Sequence, residues 1–367
     1  MKRLRSHKEK GYAVLILVLL VTITYVRQHV QHPKPQQHAD HIVAVETPTD
    51  SSHAINVGVY IENIYLNALS NQTYDADGWL WLKWSDAVEM ERRRLNLNPE
   101  KMFEFQNRID DFEFLLEPVH GEIRKRTDGS YYQRFRFSGH FYIQDIDYRH
   151  YPFLFMTLPI EIELSEPLGT KSTKPIHLLA DAKSSGIGQF IDLEGFITES
   201  MEIKHYAHHY ASNFGEDDLP DHNQRPQVSF GVKYHHAFWA SYEKFFIPLG
   251  VVMILTLITP SLSSNYWDAR VGFPPMAILS LIFMQQETRA ELPNLPYLTF
   301  IDMVYNTCYV ANMVLFIAFV WASNTLHNAA ENNRVATITH IDRIDQRIQL
   351  VLLIFLVFTG AANWIML

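Results

Sequence analysis

RVGFPPMAILSLIFMQQETRAELPNLPYLTFID, residues 270–302, decides how this chain is built. Within it Gly272, Met276, Leu279, Phe283, Gln286 and Ala290 follow at intervals of 4, 3, 4, 3 and 4, a heptad-like seam on one face of a helix. All six are uncharged, while Arg270, Glu287, Arg289 and Glu291 stand toward the two ends. A helix facing lipid needs no such seam, whereas identical helices gathered around an axis produce one. The pattern points to a pore.

Around this stretch, uncharged runs cover residues 245–262, 303–322 and 348–367, each long enough to span a bilayer as a helix. Residues 271–284 are too few to span alone and suit a helix shielded from lipid by its neighbours. A further run occupies residues 12–26, behind Lys2, Arg3, Arg5, Lys8 and Lys10. With those cations inside, four later crossings return Arg270, Arg334, Arg343 and Arg347 to the same side, as the positive-inside bias requires. Hydrophobic residues make up 47% of the chain and charged ones 19%, with the excess concentrated in these runs.

The expected organisation is a multi-domain, multi-pass protein of the cell (inner) membrane. Residues 1–11 form a cytoplasmic basic tail, and 12–27 an extra N-terminal hydrophobic helix that is either a signal anchor or a cleaved signal peptide. Residues 28–53, rich in His, Pro and Gln, read as a flexible linker. Residues 54–240 form a periplasmic or extracellular all-β domain, and 241–367 an all-α four-helix transmembrane domain with helices at 245–262, 271–290, 301–322 and 348–367. The one cysteine, Cys308, lies in an apolar run, so no intrachain disulfide can form.

Strand signals fill the exported domain. VGVYIENIY (57–65) is rich in β-branched and aromatic residues. NQTYDADGWLWLKW (71–84) sets Leu80, Leu82 and Trp84 on one face and Trp79, Trp81 and Lys83 on the other. Asp128-Gly129 separates two strand-like runs as a hairpin turn does, TLPIEIEL (157–164) and VSFGVKYHH (228–236) alternate similarly, and residues 87–97 read as a helix. Short strands at this spacing predict a two-sheet sandwich.

Four motifs in order resemble one family. The first two strands with their tryptophans come first. DIDYRHYPFLFMTLPIEIEL (145–164) follows, with Tyr151-Pro152-Phe153 as an aromatic-proline-aromatic core and Asp147 upstream. FFIPLG (245–250) and DARVG (268–272) before LPNLPYLTFID complete the set. The chain resembles the pentameric ligand-gated ion channels (the Cys-loop receptor superfamily), most of all prokaryotic members lacking the disulfide, since Gln144 and Leu158 stand where cysteines would be. Leu154 departs from the usual aspartate.

That resemblance implies an immunoglobulin-like sandwich, four identical partner subunits, a lipid bilayer, permeant inorganic ions and a small-molecule agonist bound between sandwiches. It implies a pore lined by Gly272, Met276, Leu279, Phe283, Gln286 and Ala290, with apolar rings of Leu279 and Phe283 as the gate. Gating and coupling fall to Asp147, Tyr151, Pro152 and Phe153 pressing on a linker that holds Pro293, Pro296 and Tyr297. Ligand-binding candidates are Trp79 and Trp81 on one side of the subunit and Phe114, Glu166, Tyr206 and Tyr210 on the other, whose aromatic faces would hold a cationic amine. Acidic Glu216, Asp217, Asp218 and Asp221 lie on a flap that suits such a ligand.

Selectivity is balanced. Ala269-Arg270 resembles the anion-selective pattern, while Asp268, Glu287, Glu291 and a net charge of −9 favour cations, which is the expectation kept. Pro274-Pro275 would start the regular helix near Phe273, leaving an irregular inner mouth. The alternative function that follows is a receptor-like pentamer that binds ligand but conducts little or nothing. His205, His208 and His209, with His150, His235 and His236, invite a metal- or proton-sensing reading, though the spacing of a structural zinc site is lacking. No cofactor, resident metal or nucleic-acid partner is expected. No Walker loop, nucleophile elbow or HExxH motif occurs, so an enzyme is not expected, and no repeated halves speak for a transporter.

Overall fold

The structure, a computed structural model, describes residues 41–45, 53–66, 68–109, 113–143, 146–215 and 223–365. Expectations for residues 1–40, for Gln144, and for flap residues Glu216, Asp217, Asp218 and Asp221 lie outside the described residues. The chain divides into a strand-rich unit and a helical unit, and the helical unit includes the segment Tyr148–Leu154 together with Phe238–Leu367.

The strand-rich unit is a two-sheet sandwich. Its strands are β1 His41–Ala44, β2 Ala54–Tyr65, β3 Thr73–Trp84, β4 Phe103–Phe105, β5 Leu115–Pro118, β6 Arg124–Lys125, β7 Tyr131–Tyr142, β8 Phe155–Leu164, β9 His177–Ala180, β10 Gly186–Phe190, β11 Phe196–Tyr210 and β12 Asn223–His236. Helices α1 Asp86–Arg94 and α2 Glu166–Thr170 interrupt them. One sheet runs β1-β11-β12-β8-β4 and the other β10-β2-β3-β7-β5, with β6 beside β7 and β9 beside β2.

Period-two alternation explains which sides meet. In β3, Tyr74, Ala76, Leu80, Leu82 and Trp84 are buried, which turns Trp79, Trp81 and Lys83 to the outer face. The buried five pack with Phe135 and Phe137 of β7 against Ile160 and Ile162 of β8 and Val228 and Phe230 of β12. Each such side chain, once fully buried, contributes roughly 1.5–3 kcal/mol. The Asp128-Gly129 turn is present: Gly129 has φ +82°, a left-handed conformation glycine adopts without strain, and Arg126 N–H donates to the Ser130 carbonyl at 2.8 Å.

One boundary needs correction. Residues 28–53, read as a flexible linker, contain β1, whose Ile42 and Val43 pair with His208 and Ala207 of β11. A free edge of β11 would leave a row of unpaired backbone groups, and even a short segment with β-branched residues is recruited to cover it.

The helical unit holds α3 Phe238–Ser261, α4 Trp267–Ala290, α5 Phe300–His327 and α6 Arg334–Ile365. Three helical stretches are long and apolar enough to cross a membrane: Phe238–Ser261, Phe300–His327 and Glu331–Trp364. The four expected helices exist, but their bounds change. Helix α3 begins seven residues before 245 because the charged pair Glu243 and Lys244 sits in a π-helical turn, Tyr242–Phe246, one residue short of Pro248. A widened turn accommodates a proline ring and its missing donor. Helix α6 begins at Arg334 and not at Ile348, because its charged first half is amphipathic: Ile341 and Asp345 are buried, while Arg343 and Arg347 are exposed.

The late start expected for the pore helix is also corrected. Helix α4 runs unbroken from Trp267 with Pro274 and Pro275 inside it. The prolines leave the Arg270 and Val271 carbonyls without their usual donors. Tertiary anchoring holds the first turns: the Arg270 guanidinium is buried, hydrogen-bonded to Asp345 of α6 and 4.5 Å over the Phe319 ring of α5.

Candidate functional site

Helix α4 buries one side only. Pro274, Ala277, Leu281 and Thr288, at intervals of 3, 4 and 7, are buried. The six seam residues lie on the other side and are exposed on the subunit; Met276 is 70%, Leu279 54% and Phe283 66% exposed. Large apolar side chains in this state need a second surface to meet. Apolar exposure also covers α3 and α6, through Val251, Ile254, Leu255, Val357 and Phe358 among others.

At the end of α4 the linker is tied by a cluster that sequence reasoning did not single out. Thr299 and Asp302 cap α5 reciprocally, each side chain accepting the other's backbone N–H at 3.3 Å. The second Asp302 oxygen accepts from Gln285 Nε2 at 2.9 Å and Arg289 Nε at 3.0 Å of α4. Gln285 in turn accepts from the Tyr309 hydroxyl at 2.8 Å. The T-x-x-D spacing within LTFID was the signal that could have found it.

The segment Tyr148–Leu154 packs into the same unit. Tyr151 is fully buried, and its hydroxyl donates to Glu291 Oε2 at 2.8 Å, while Lys244 Nζ holds the other oxygen at 2.6 Å. Burial, then the Glu291 carboxylate, pushes the Tyr151 phenol well above its ordinary pKa. The Tyr151 carbonyl accepts from Ile301 N–H at 3.3 Å. Phe153 stacks on Phe238 at 5.0 Å and on Phe246 at 5.7 Å, with Trp364 of α6 edge-on at 5.5 Å. Leu154, which stands in place of the aspartate usual in the family it resembles, is fully buried. Arg149 lies 5.8 Å over the Tyr297 ring, so one of the three linker residues singled out meets this segment directly. Pro293 is half-buried, Pro296 is exposed, and Asp147 is exposed in the strand-rich unit.

The ligand candidates fall into separate places. Trp79 and Trp81 line one cleft of about 610 Å3 on the outer face of β3 and β7. Tyr206 lines another, of about 560 Å3, outside β8, β11 and β12. Phe114 belongs to neither: it packs edge-on against Phe105 at 5.2 Å, with Arg108 4.5 Å over its ring, because the chain before β5 turns it onto the core cluster. Tyr210 and Glu166 meet through a third group. The Tyr210 hydroxyl donates to fully buried Glu163 at 2.8 Å, His208 Nδ1 is 2.7 Å from the same carboxylate, and Arg225 lies 3.6 Å from both Glu163 and Glu166. Burial, with Glu163 behind it, raises the Tyr210 phenol. Glu163 and Arg225 were not anticipated, since an acid in an otherwise apolar strand gives no sign of its partner.

Of the aromatic faces proposed for a cationic amine, that of Trp79 is already covered. Arg134 and Arg136 of β7 lie 5.0 and 4.8 Å over the Trp79 ring. Register dictates this, because Trp79 pairs with Arg136 and Trp81 with Arg134. Among the histidines, His205 faces inward: Nε2 accepts the Ala180 N–H at 3.1 Å, and burial lowers its pKa. Among the described residues, no three His, Cys, Asp or Glu side chains converge as metal ligands would.

No family model matches this sequence. Among characterised proteins, a proton-gated ion channel from Gloeobacter violaceus is 22% identical over 301 residues, which cover 80% of this chain and 79% of that protein.

Proposed function

We propose that this chain is one subunit of a homopentameric channel of the ligand-gated kind, set in the inner membrane with its sandwich outside and α4 lining the pore. The observation that carries the reading is the exposed seam: Met276, Leu279 and Phe283 stand uncovered on α4, whose opposite face, with Pro274, Ala277, Leu281 and Thr288, is packed. Five copies around an axis would give those side chains the second surface they need and stack them as apolar rings. A narrow apolar ring closes to ions by dewetting, since hydration lost there is replaced by nothing. Its relative being an ion channel, the chain is read as a channel and not as an enzyme.

Burial of Arg270 shapes the selectivity proposed. Paired with Asp345, that cation is withdrawn from the inner mouth, whereas Asp268 and Glu287 are exposed near the two ends of α4. Rings of acid at both mouths favour cations. An uninterrupted α4 also supports a pore that conducts over the alternative of a receptor that does not.

Opening would pass through Tyr148–Leu154, which β7 and β8 flank in the chain and which grips the α4–α5 linker through Tyr151, Glu291 and Arg149. The relative is proton-gated, so acid is the first stimulus to apply. In planar bilayers, the full-length protein should pass cation-selective current on acidification or with a ligand, and Leu279→Ser should leak or open more readily. No current under either stimulus, or a Leu279→Ser channel identical to the parent at every stimulus strength, refutes the reading.

A further inference from the structure

The cleft that holds Trp79 and Trp81 has a charge opposite to the one its aromatic residues first imply. Its walls carry Lys83, Arg124, Arg126 and Arg134, against a single acid, Asp181. That acid is committed: Oδ2 accepts from Trp81 Nε1 at 3.1 Å and Oδ1 from Ser184 N–H at 3.2 Å. Lys83 is committed too, 2.8 Å from Asp128. Among the described residues, Arg124, Arg126 and Arg134 have no carboxylate within 4.0 Å. Arg134 Nε is buried and makes no hydrogen bond. Partial desolvation, then the fields of Arg124 and Arg134, hold the nearby His120 imidazole below its ordinary pKa.

The aromatic surfaces make the floor. Trp81 lies against Gly58, where a Cβ would fall 2.2 Å from the indole, so that ring is pressed onto the β2 backbone. Trp79 sits beneath two guanidinia, and the charge of Arg136 is used by Glu62 and Asp77. A cationic amine arriving here meets like charge and a covered ring. An anion meets three uncompensated guanidinia, whose forked donors match a carboxylate two by two.

We infer that this cleft is the binding site for a small carboxylate with an apolar or aromatic body, the carboxylate on Arg134, Arg124 and Arg126 and the body on Trp81 and Tyr60. The inference deepens the reading of the sandwich as the ligand-binding part of a channel and rests on it. The test pairs two probes of similar shape and opposite charge, phenylacetate and phenethylamine, titrated at one ionic strength into the full-length protein in detergent. Binding is followed by calorimetry and tryptophan fluorescence. Phenylacetate should bind, Arg134→Gln should weaken it by about tenfold or more, and Arg134→Lys should restore part of the loss.

If Arg134→Gln does not fold, the exposed pair Arg124→Gln/Arg126→Gln decides, with the same loss expected. Preference for phenethylamine, binding of neither probe, or phenylacetate affinity within twofold of the parent in both variants overturns the inference. Bilayer currents on acidification report separately on the channel reading. Current without phenylacetate binding sinks only the carboxylate site, and binding without current under any stimulus sinks only the channel.

Discussion

Asp345→Ala should be among the most damaging single changes in the helical unit. Asp345 and Arg270 are each 2% exposed in their side chains, and removing the acid leaves a buried guanidinium, 4.5 Å over the Phe319 ring, without this counter-charge. Loss of one member of such a pair costs about 3–5 kcal/mol, whereas replacing both with apolar groups of similar size is often neutral. At about 1.4 kcal/mol per decade, the unfolding equilibrium should shift by roughly three orders of magnitude. The assay is denaturant unfolding in one detergent of Asp345→Ala, Arg270→Met, the pair Arg270→Met/Asp345→Leu and the parent. Both single variants should fall far below the parent, and the double variant should recover to within about 1 kcal/mol of it. A midpoint for Asp345→Ala equal to the parent refutes the reasoning that this pair anchors a proline-containing helix.

Other outcomes follow from individual contacts. Tyr151→Phe removes the donor to Glu291 and should cost about 1.5–3 kcal/mol of stability, as hydrogen bonds to charged groups do; an unchanged thermal midpoint counts against a tight grip on the linker. Burial alone would raise the Glu89 carboxyl, but hydrogen bonds from Arg92, Arg93 and Trp84 outweigh it and hold its pKa at about 2. A depressed carboxyl stabilises above its unfolded value, near 4.5, and that stability, about 3 kcal/mol, is lost as pH falls toward 2. Glu89→Gln should flatten this part of the acid-unfolding profile of the sandwich, and an unaltered profile rejects the assignment. Gly58→Ala places a methyl in the Trp81 ring and should cost about 1–3 kcal/mol with a shift in tryptophan emission; parental fluorescence would mean that Trp81 does not lie there.

Much of the architecture could be read before any coordinates. Alternation in residues 73–84 set Leu80, Leu82 and Trp84 on one face and Trp79 and Trp81 on the other, and in the structure the first three are buried while the two indoles lie on the outer face. The 4-3-4-3-4 seam likewise marked the face of α4 that the subunit leaves uncovered. Less legible were features that depend on partners far away in the chain. Pro274-Pro275 read as a helix start because local donor loss was counted and the distant Asp345 could not be. The last helix was expected only from residue 348 because the charges before it break the apolar run, although Ile341 and Asp345 share a buried stripe. Phe114 was grouped with interface aromatics by type, and its direction is settled by Phe105 and the core.

Periodicity and uncharged run length are local quantities, so the strand faces, the helix count and the seam were determined by the order of residues alone. The electrostatic character of a cleft is not local. Whether Trp79 offers its face to a cation or is already covered by one turns on the register between β3 and β7, which brings residues 134 and 136 over residue 79. Only tertiary structure decides such pairings, because the energy of a charge depends on what lies within a few ångströms of it, not on its neighbours along the chain.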